Sequence, residues 1–438
     1  MIEMDANRKT AYFALADVES KKSYSNLALN HHIICGKPGS PAFVRELVYG
    51  VLENKMLLDY LIDRIVPTGS AKIKTSDRIV LRMGIYQLEY MNSVPEYAAV
   101  NESVELAKRF CRGRQGFINA SLRAFIKGKY AIGLPDRGDD EVRHLSVRYS
   151  YEPWIVELWL GQYNADFVEE LLKAGNAAPD LVVRANSLKT TRDELVQRLA
   201  ASGCVVEIGN LCDEAIHIKK GTALIDNNLY RGGMYSIQDE ASMFVAAMLD
   251  PRPGDTVMDV CAAPGGKTMA IAERMGNTGR VVASDVYIRK LNLIEKEAKR
   301  LGISIVETRT WDATKVDSEM TEKADKVLVD APCTGLGTVR RKPEIKYKKR
   351  TADMDSLPAK QLLILTASSK YVKPGGTLIY STCTINPNEN QKVTGEFLKR
   401  NPSFKKEEAI QLMPNVNGTD GFFICKMQRA EVLAGTGL

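Results

Sequence analysis

Zinc-ligand patterns, paired cysteines and long apolar runs are what this sequence lacks. It has four histidines and eight cysteines (Cys35, Cys111, Cys204, Cys212, Cys261, Cys333, Cys383 and Cys425). The cysteines contain no C-x-x-C pair, and the histidines form no zinc-ligand pattern with them. A structural zinc site and a disulfide framework are therefore not expected, and no metal is assigned. No uncharged apolar run of about 20 residues and no secretory leader occur, so a cytoplasmic protein without a membrane partner is expected. Internal repeats and low-complexity segments are also missing.

What is present is an ordinary globular composition, 45% hydrophobic and 26% charged over 438 residues, long enough for about three domains. The net charge of +6 says little by itself, but its distribution is uneven. Lys108, Arg109, Arg112, Arg114, Arg123, Lys127 and Lys129 fall in a stretch without one Asp or Glu, and Arg340, Arg341, Lys342, Lys346, Lys348, Lys349 and Arg350 are interrupted only by Glu344. Such clusters suit a polyanion, although two solvated helix faces would give the same pattern.

Apolar residues recur at helical spacing up to about Lys129, so residues 1–134 read as an all-α domain. The Gly, Pro and Asp residues between Gly133 and Glu141 read as a linker. Residues 143–235 read as a small α/β module, with strands at Leu181–Ala185, Cys204–Ile208 and Ala215–Ile218, and a helix capped by Thr191 with Glu194 three residues on. Residues 236–430 alternate strand and helix and call for a mostly parallel, Rossmann-like sheet covered on both faces. Its strands are expected at Thr256–Cys261, Arg280–Ser284, Ser304–Thr308, Lys326–Val329 and Thr377–Tyr380, with a helix after each of the first four and a terminal hairpin strand at Phe422–Met427.

The turn after the first of these strands reads Asp259-Val-Cys-Ala-Ala-Pro-Gly-Gly-Lys-Thr268, at the sheet edge where open α/β folds bind ligands. Pro264 fixes the turn, and Gly265 and Gly266 let a ligand lie against the backbone. It matches neither G-x-x-x-x-G-K-[ST] nor G-x-G-x-x-G, so a phosphate cradle is weakly supported. Asp285, Asp312 and Asp330 follow the next three strands. A carboxylate at the second strand end can accept from both ribose hydroxyls and one at the third from an adenine amine, which together describe a nucleoside cofactor. Any one Asp alone would read as a turn former.

Asp330-Ala-Pro-Cys-Thr-Gly335 and Ser381-Thr-Cys-Thr384 end the fourth and fifth strands, bringing two thiols to the same edge. The other cysteines, Cys35, Cys111, Cys204, Cys212 and Cys425, read as buried and structural. The three motifs, in this order, resemble those of RNA 5-methylcytosine methyltransferases that use S-adenosylmethionine. Arg45-Glu-Leu-Val-Tyr-Gly-Val-Leu52, Ala98-Ala-Val-Asn-Glu-Ser-Val-Glu-Leu106 and Gly116-Phe-Ile-Asn-Ala-Ser-Leu122 are similar to the helical NusB domain. The combination resembles the bacterial RsmB (Sun) group over nearly the whole chain; Val260 and Thr384 depart from the commoner Leu and Ser.

That resemblance implies a class I methyltransferase domain, a NusB-like RNA-binding domain and a small RNA-binding module. The implied cofactor is S-adenosyl-L-methionine, held by Cys261, Ala262, Ala263, Pro264, Gly265, Gly266, Lys267, Asp285, Asp312 and Asp330. The implied partner is one cytidine of 16S ribosomal RNA before full subunit assembly, met by a monomer. It assigns Cys383 as nucleophile and Cys333 to product release.

The chemistry can be argued independently. Carbon 5 of cytosine is a poor nucleophile until a thiolate adds at carbon 6 and turns the ring into an enamine. After methyl transfer the carbon 5 proton must leave before the thiolate can depart, and a second group can assist. Asp330 suits ring nitrogen 3 or the exocyclic amine, and Lys267 can favour a thiolate. The base must be unstacked to be reached, with Arg340, Arg341 and Lys342 on backbone phosphates. The residues alone do not choose between the thiols, because DNA cytosine methyltransferases use a Pro-Cys nucleophile. Methylation of transfer RNA, a non-catalytic RNA-binding adaptor and an amino methyltransferase are the alternatives; the last typically carries N-P-P-Y where this chain has Asp-Ala-Pro-Cys.

Overall fold

The computed structural model describes residues 4–21, 23–66, 73–221, 227–347, 350 and 352–431. They divide into two compact units, Met1–Ala177 with Val339–Lys349, and Ala178–Thr338 with Arg350–Leu438. No helix among the described residues is long and apolar enough to cross a membrane.

The first unit is helical, and the periodicity up to about Lys129 predicts its first seven helices: α1 (Ala6–Lys21), α2 (Ser25–Gly36), α3 (Pro41–Glu53), α4 (Lys55–Ile65), α5 (Thr75–Tyr90), α6 (Glu96–Phe110), α7 (Gln115–Gly128), α8 (Glu141–Tyr149), α9 (Pro153–Leu160) and α10 (Ala165–Asn176). In α3 the residues Val44, Leu47, Val48 and Val51 form one buried stripe. Ser40 caps that helix by accepting from the Phe43 N–H at 3.3 Å, and Pro41 opens it where a missing N–H costs nothing. Helices α8 to α10 pack with the helices that precede them, and the Ser150 hydroxyl accepts from the Leu57 N–H at 3.0 Å.

The last piece of this unit comes from far along the chain. A 3-10 turn at Pro343–Tyr347 buries Pro343, Ile345 and Lys346. Lys346 donates from Nζ to the carbonyls of Glu53 (2.7 Å) and Tyr149 (3.3 Å) and to Asn176 Oδ1 (2.7 Å). The Tyr347 hydroxyl donates to the Leu52 carbonyl. Burial lowers the Lys346 ammonium to about 7 and raises the Glu53 carboxyl to about 7.

One member of the second basic cluster, Lys346, is thus withdrawn from any solvated face. Lys346 is fully buried, Arg350 pairs with Asp355 at 2.8 Å, and Lys348 and Lys349 lie outside the described residues. In the first cluster, acids distant in sequence or one turn away engage Lys108 (Glu105), Arg114 (Asp77) and Lys129 (Glu96), while Arg109, Arg112, Arg123 and Lys127 are exposed.

The second unit begins with β1 (Leu181–Ala185), α11 (Arg192–Ala201), β2 (Val205–Ile208), β3 (Ala215–Lys220), α12 (Asn228–Arg231) and β4 (Tyr235–Ile237). These strands form an antiparallel sheet of order β2-β3-β1-β4. Thr191 and Glu194 make the expected reciprocal capping box on α11.

The larger sheet follows: α13 (Glu240–Leu249), β5 (Thr256–Asp259), α14 (Gly266–Arg274), β6 (Arg280–Asp285), α15 (Ile288–Leu301), β7 (Val306–Thr310), β8 (Ala324–Asp330), α16 (Ala352–Ser369), β9 (Val372–Thr382), α17 (Gln391–Arg400), β10 (Phe404–Leu412), α18 (Pro414–Asn417) and β11 (Phe422–Arg429). Its order is β10-β11-β9-β8-β5-β6-β7, parallel from β9 to β7, with β11 antiparallel to both its neighbours. The chain leaves β5 towards β6 and β7 and then returns to β8 on the other side. That reversal opens a crevice at the carboxyl ends of β5 and β8, where such folds take their ligands.

Two expectations change. No α-helix follows β7; the link holds only a 3-10 turn, Ser318–Met320, capped by Asp317, whose carboxylate also pairs with Arg309 at 2.9 Å. The hairpin gains a full partner in β10, an edge strand whose Lys405–Glu408 run is exposed. Charges on an edge discourage pairing with another chain.

Candidate active site

Four strand ends build the site. From β5 the chain turns through Cys261, Ala262, Ala263 and Pro264 to Gly265, which has φ of +107° and places the first turn of α14 against the sheet. A Cβ there would lie 2.9 Å from Ile294 Cγ1, so both the left-handed backbone and the close approach require glycine. Asp259, buried at the end of β5, accepts from the Thr268 hydroxyl at 2.8 Å, and burial pushes its carboxyl up to about 7. Cys261 is likewise pushed up by burial.

Lys267 stands at the start of α14 and donates to Asp330 Oδ2 at 2.8 Å; Ser381 of β9 donates to Asp330 Oδ1 at the same distance. Burial opposes charge on Lys267, but Asp330 beside it prevails and raises its pKa, with Cys383 adding in the same direction. The Cys333 and Cys383 sulfurs are 3.3 Å apart. Contact with Cys383, followed by burial, pushes the Cys333 thiol well above its ordinary range. Two thiolates this close would repel, so the pair holds a proton.

The loops are shaped to bring the sulfurs together. The Gly337 N–H donates to the Cys383 carbonyl at 3.0 Å, and its own carbonyl accepts from the Gly421 N–H at 2.8 Å. A Cβ on Gly337 would fall 1.9 Å from the Gly421 oxygen, which explains the second glycine of Thr-Gly-Leu-Gly.

The predicted residues thus group unequally. Lys267, Asp330, Cys333 and Cys383 are brought together. Asp285 is half-buried at the end of β6, its Oδ1 accepting from the Tyr287 N–H at 3.0 Å. Asp312 lies two residues beyond β7 and is exposed, its carboxylate accepting from the Thr314 N–H (3.0 Å) and hydroxyl (2.7 Å), which hold it below the usual carboxylate range. Of the other cysteines, Cys111, Cys204, Cys212 and Cys425 are buried as expected, but Cys35 is exposed because α2 turns it outward.

Three contributors escaped sequence reasoning. Ser381 orients Asp330; its place two residues before Cys383 could have suggested it. Glu389 is buried behind both cysteine loops, a role that its run of turn-forming neighbours conceals. Arg184 of β1, 1% exposed, forks onto Glu273 of α14 with Nε–Oε2 and Nη2–Oε1 both at 2.9 Å. Its Nη1 donates to the Gly266 carbonyl at 3.0 Å and to the Gln238 side chain. A lone arginine in a strand gives no such signal.

A Rossmann-like domain with a glycine-rich turn at the sheet reversal, acids at the strand ends and a thiol pair beside them defines a methyltransferase class. Comparison with known proteins sharpens it. Residues 246–428 match the family described as 16S rRNA methyltransferase RsmB/F, residues 5–127 the NusB family, and residues 151–224 the RsmF/B-like ferredoxin-like domain. A probable ribosomal RNA small subunit methyltransferase B of Bacillus subtilis is 38% identical, over 96% of this chain and 98% of its own length. Its counterpart in Synechocystis is 32% identical, over 98% and 100%. Among solved structures, PH0851 aligns with a TM-score of 0.83 at 26% identity, over 98% of this chain and 100% of that one. A methyltransferase homolog from Pyrococcus horikoshii aligns with 0.60 at 27%, over 66% and 99%. The chain belongs to the RsmB family of ribosomal RNA small subunit methyltransferases.

Proposed function

We propose that this protein methylates carbon 5 of a cytidine in small-subunit ribosomal RNA, using S-adenosylmethionine and a covalent cysteine adduct. The observation that carries the reading is the pair of sulfurs 3.3 Å apart beside the Lys267–Asp330 ion pair. The names of the relatives support ribosomal RNA as substrate.

The residues at the β5 crevice fit the cofactor. Gly265 and Gly266 keep the turn free of side chains, and Asp285 offers carboxylate oxygens at the next strand end. The turn Cys261–Lys267, Asp285, Asp312 and Asp330 would hold S-adenosylmethionine, which supplies an electrophilic methyl group when bound.

The chain's own groups then divide the work. Cys383 adds as thiolate to carbon 6, forming the S–C6 bond and delivering electron density to carbon 5, which would take the methyl group as the methyl–sulfonium bond breaks and leaves its electron pair on the sulfur. Lys267 favours this thiolate by its charge. Asp330, steadied by Ser381 and Lys267, accepts from the cytosine amine or protonated ring nitrogen. Cys333 serves the later stage: with Cys383 tied up as a thioether, the contact that disfavours its thiolate is gone, its own proton passes to solvent, and the thiolate takes the carbon 5 proton as the enamine re-forms and the S–C6 bond breaks with the electron pair returning to Cys383.

Two variants test it. Cys383→Ser should abolish methylation and any adduct, since a serine hydroxyl is scarcely ionised at neutral pH. Cys333→Ser should still attack and transfer, then stall as a protein–RNA conjugate that survives denaturing electrophoresis. A conjugate from Cys383→Ser alone would reverse the roles, and intact methylation in both would remove covalent catalysis. Bisulfite mapping of ribosomal and transfer RNA from a deletion strain identifies the substrate.

A further inference from the structure

The thiol spacing needs a cause, because the two cysteines sit on separate loops that follow β8 and β9. Behind them lies Glu389, fully buried. Its Oε2 accepts from the Thr334 N–H at 2.9 Å and from Gln361 Nε2 at 3.0 Å; its Oε1 accepts from the Thr334 hydroxyl at 2.5 Å and from Asn386 Nδ2 at 2.9 Å. Four donors fill the accepting capacity of a carboxylate.

The network reaches both cysteines through the residue that follows each. The Thr334 and Thr384 hydroxyls are 2.8 Å apart. Since the Thr334 hydrogen is given to Glu389, Thr384 donates to the Thr334 oxygen. Gln361 of α16 also donates to the carbonyl of Pro332, just before Cys333, at 2.9 Å. On the other side Asn390 donates to the Thr384 carbonyl at 3.0 Å and accepts from the Thr382 hydroxyl at 2.6 Å, while the Tyr380 hydroxyl donates to the Glu389 carbonyl at 2.6 Å.

We infer that Glu389 is a positioning residue that sets the separation of Cys333 and Cys383 by clamping the Cys-Thr step of one loop against the Cys-Thr step of the other. It touches neither sulfur and acts through Thr334 and Thr384. The inference rests on the two-cysteine reading above for its catalytic meaning, but the clamp itself is a matter of geometry. With all its accepting positions filled, the Glu389 carboxylate fixes one arrangement of these donors, and losing one of its bonds releases it. In Glu389→Gln an amide N–H must face either Thr334 and Asn386 donors or Thr334 and Gln361 donors, so at least one loop contact becomes repulsive.

Phenylarsine oxide, whose arsenic binds two neighbouring thiols at once, reads the spacing without RNA or cofactor. In the full-length Glu389→Gln variant its affinity should fall about tenfold, while calorimetric S-adenosylmethionine affinity is unchanged. Single-turnover methyl transfer should slow about 100-fold, the penalty of a displacement near 1 Å. Thr384→Val, which cuts only the hydroxyl link, should change both readouts in the same direction by less, and carries the test should Glu389→Gln not fold. Wild-type arsenical affinity in the folded variants would overturn the inference. Weakened arsenical binding with undiminished methyl transfer would uphold the clamp and overturn covalent two-cysteine catalysis instead.

Discussion

Replacing Arg184 by methionine should separate two jobs that one side chain performs. The guanidinium is 1% exposed and spends two nitrogens on Glu273, itself 5% exposed, and a third on the Gly266 carbonyl of the cofactor turn. Removing it strands a buried carboxylate, which costs about 3–5 kcal/mol. It also strips one donor from Gly266, and a hydrogen bond of about 1 kcal/mol corresponds to roughly a fivefold loss of S-adenosylmethionine affinity if the turn loosens accordingly. Arg184→Met/Glu273→Leu removes both charges. Because a buried ion pair is often no better than a packed apolar pair, the double variant should return to within about 1 kcal/mol of the parent. Cofactor affinity should stay low in it, since the Gly266 carbonyl still lacks its donor. Urea unfolding gives the first quantity and titration calorimetry the second. A single variant losing under about 1 kcal/mol, or a double variant as unstable as the single, would refute the reasoning.

Asp285→Ala should weaken S-adenosylmethionine binding by about 1.5–3 kcal/mol, the scale of hydrogen bonds to a charged group; unchanged calorimetric affinity would remove Asp285 from the cofactor site. His217 bridges Asp180 (3.1 Å) and buried Glu240 (3.0 Å), and the Glu240 hydrogen bond raises its pKa despite partial burial. Its contribution to stability is full below the ordinary value of 6.5 and is lost as pH rises through the raised value. Chemical denaturation from pH 6 to 9 should therefore show a decline that His217→Gln flattens; equal slopes in both proteins would exclude it as the source.

The parts of the fold that write themselves into sequence are those where one local choice dictates the outcome. Thr191 and Glu194 announce a capping box, and Asp259–Thr268 announces a strand turning into a helix, because each depends on neighbours only. The thiol pair was legible for another reason: parallel strands deliver their carboxyl ends to one edge, so Cys333 and Cys383 had to share it. What stayed hidden depends on distant partners. Strand β10 exposes Lys405–Glu408 to solvent, so it shows no alternation, and β4 has only three residues. Glu389 lies in Asn-Pro-Asn-Glu-Asn, which reads as a surface turn until four donors converge on it. Lys346 looked like one more phosphate-binding cation, and its three acceptors come from α3, α8 and α10.

That lysine also imposes a schedule on folding. Its partner Glu53 precedes it by 293 residues, so a ribosome adding about 5–20 residues per second needs roughly 15–60 s to deliver the missing turn. Over the last 170 residues of that interval the amino-terminal helices lack only their final piece, with the Glu53 and Tyr149 carbonyls and the Asn176 amide oxygen all awaiting a donor. The unit is thus an early beginning with a late completion, drawn from Met1–Ala177 and from Val339–Lys349. A graft of these helices without residues 339–347 leaves the Glu53, Tyr149 and Asn176 acceptors without the Lys346 donor, and a chain without the helices leaves Lys346 and Tyr347 without their acceptors.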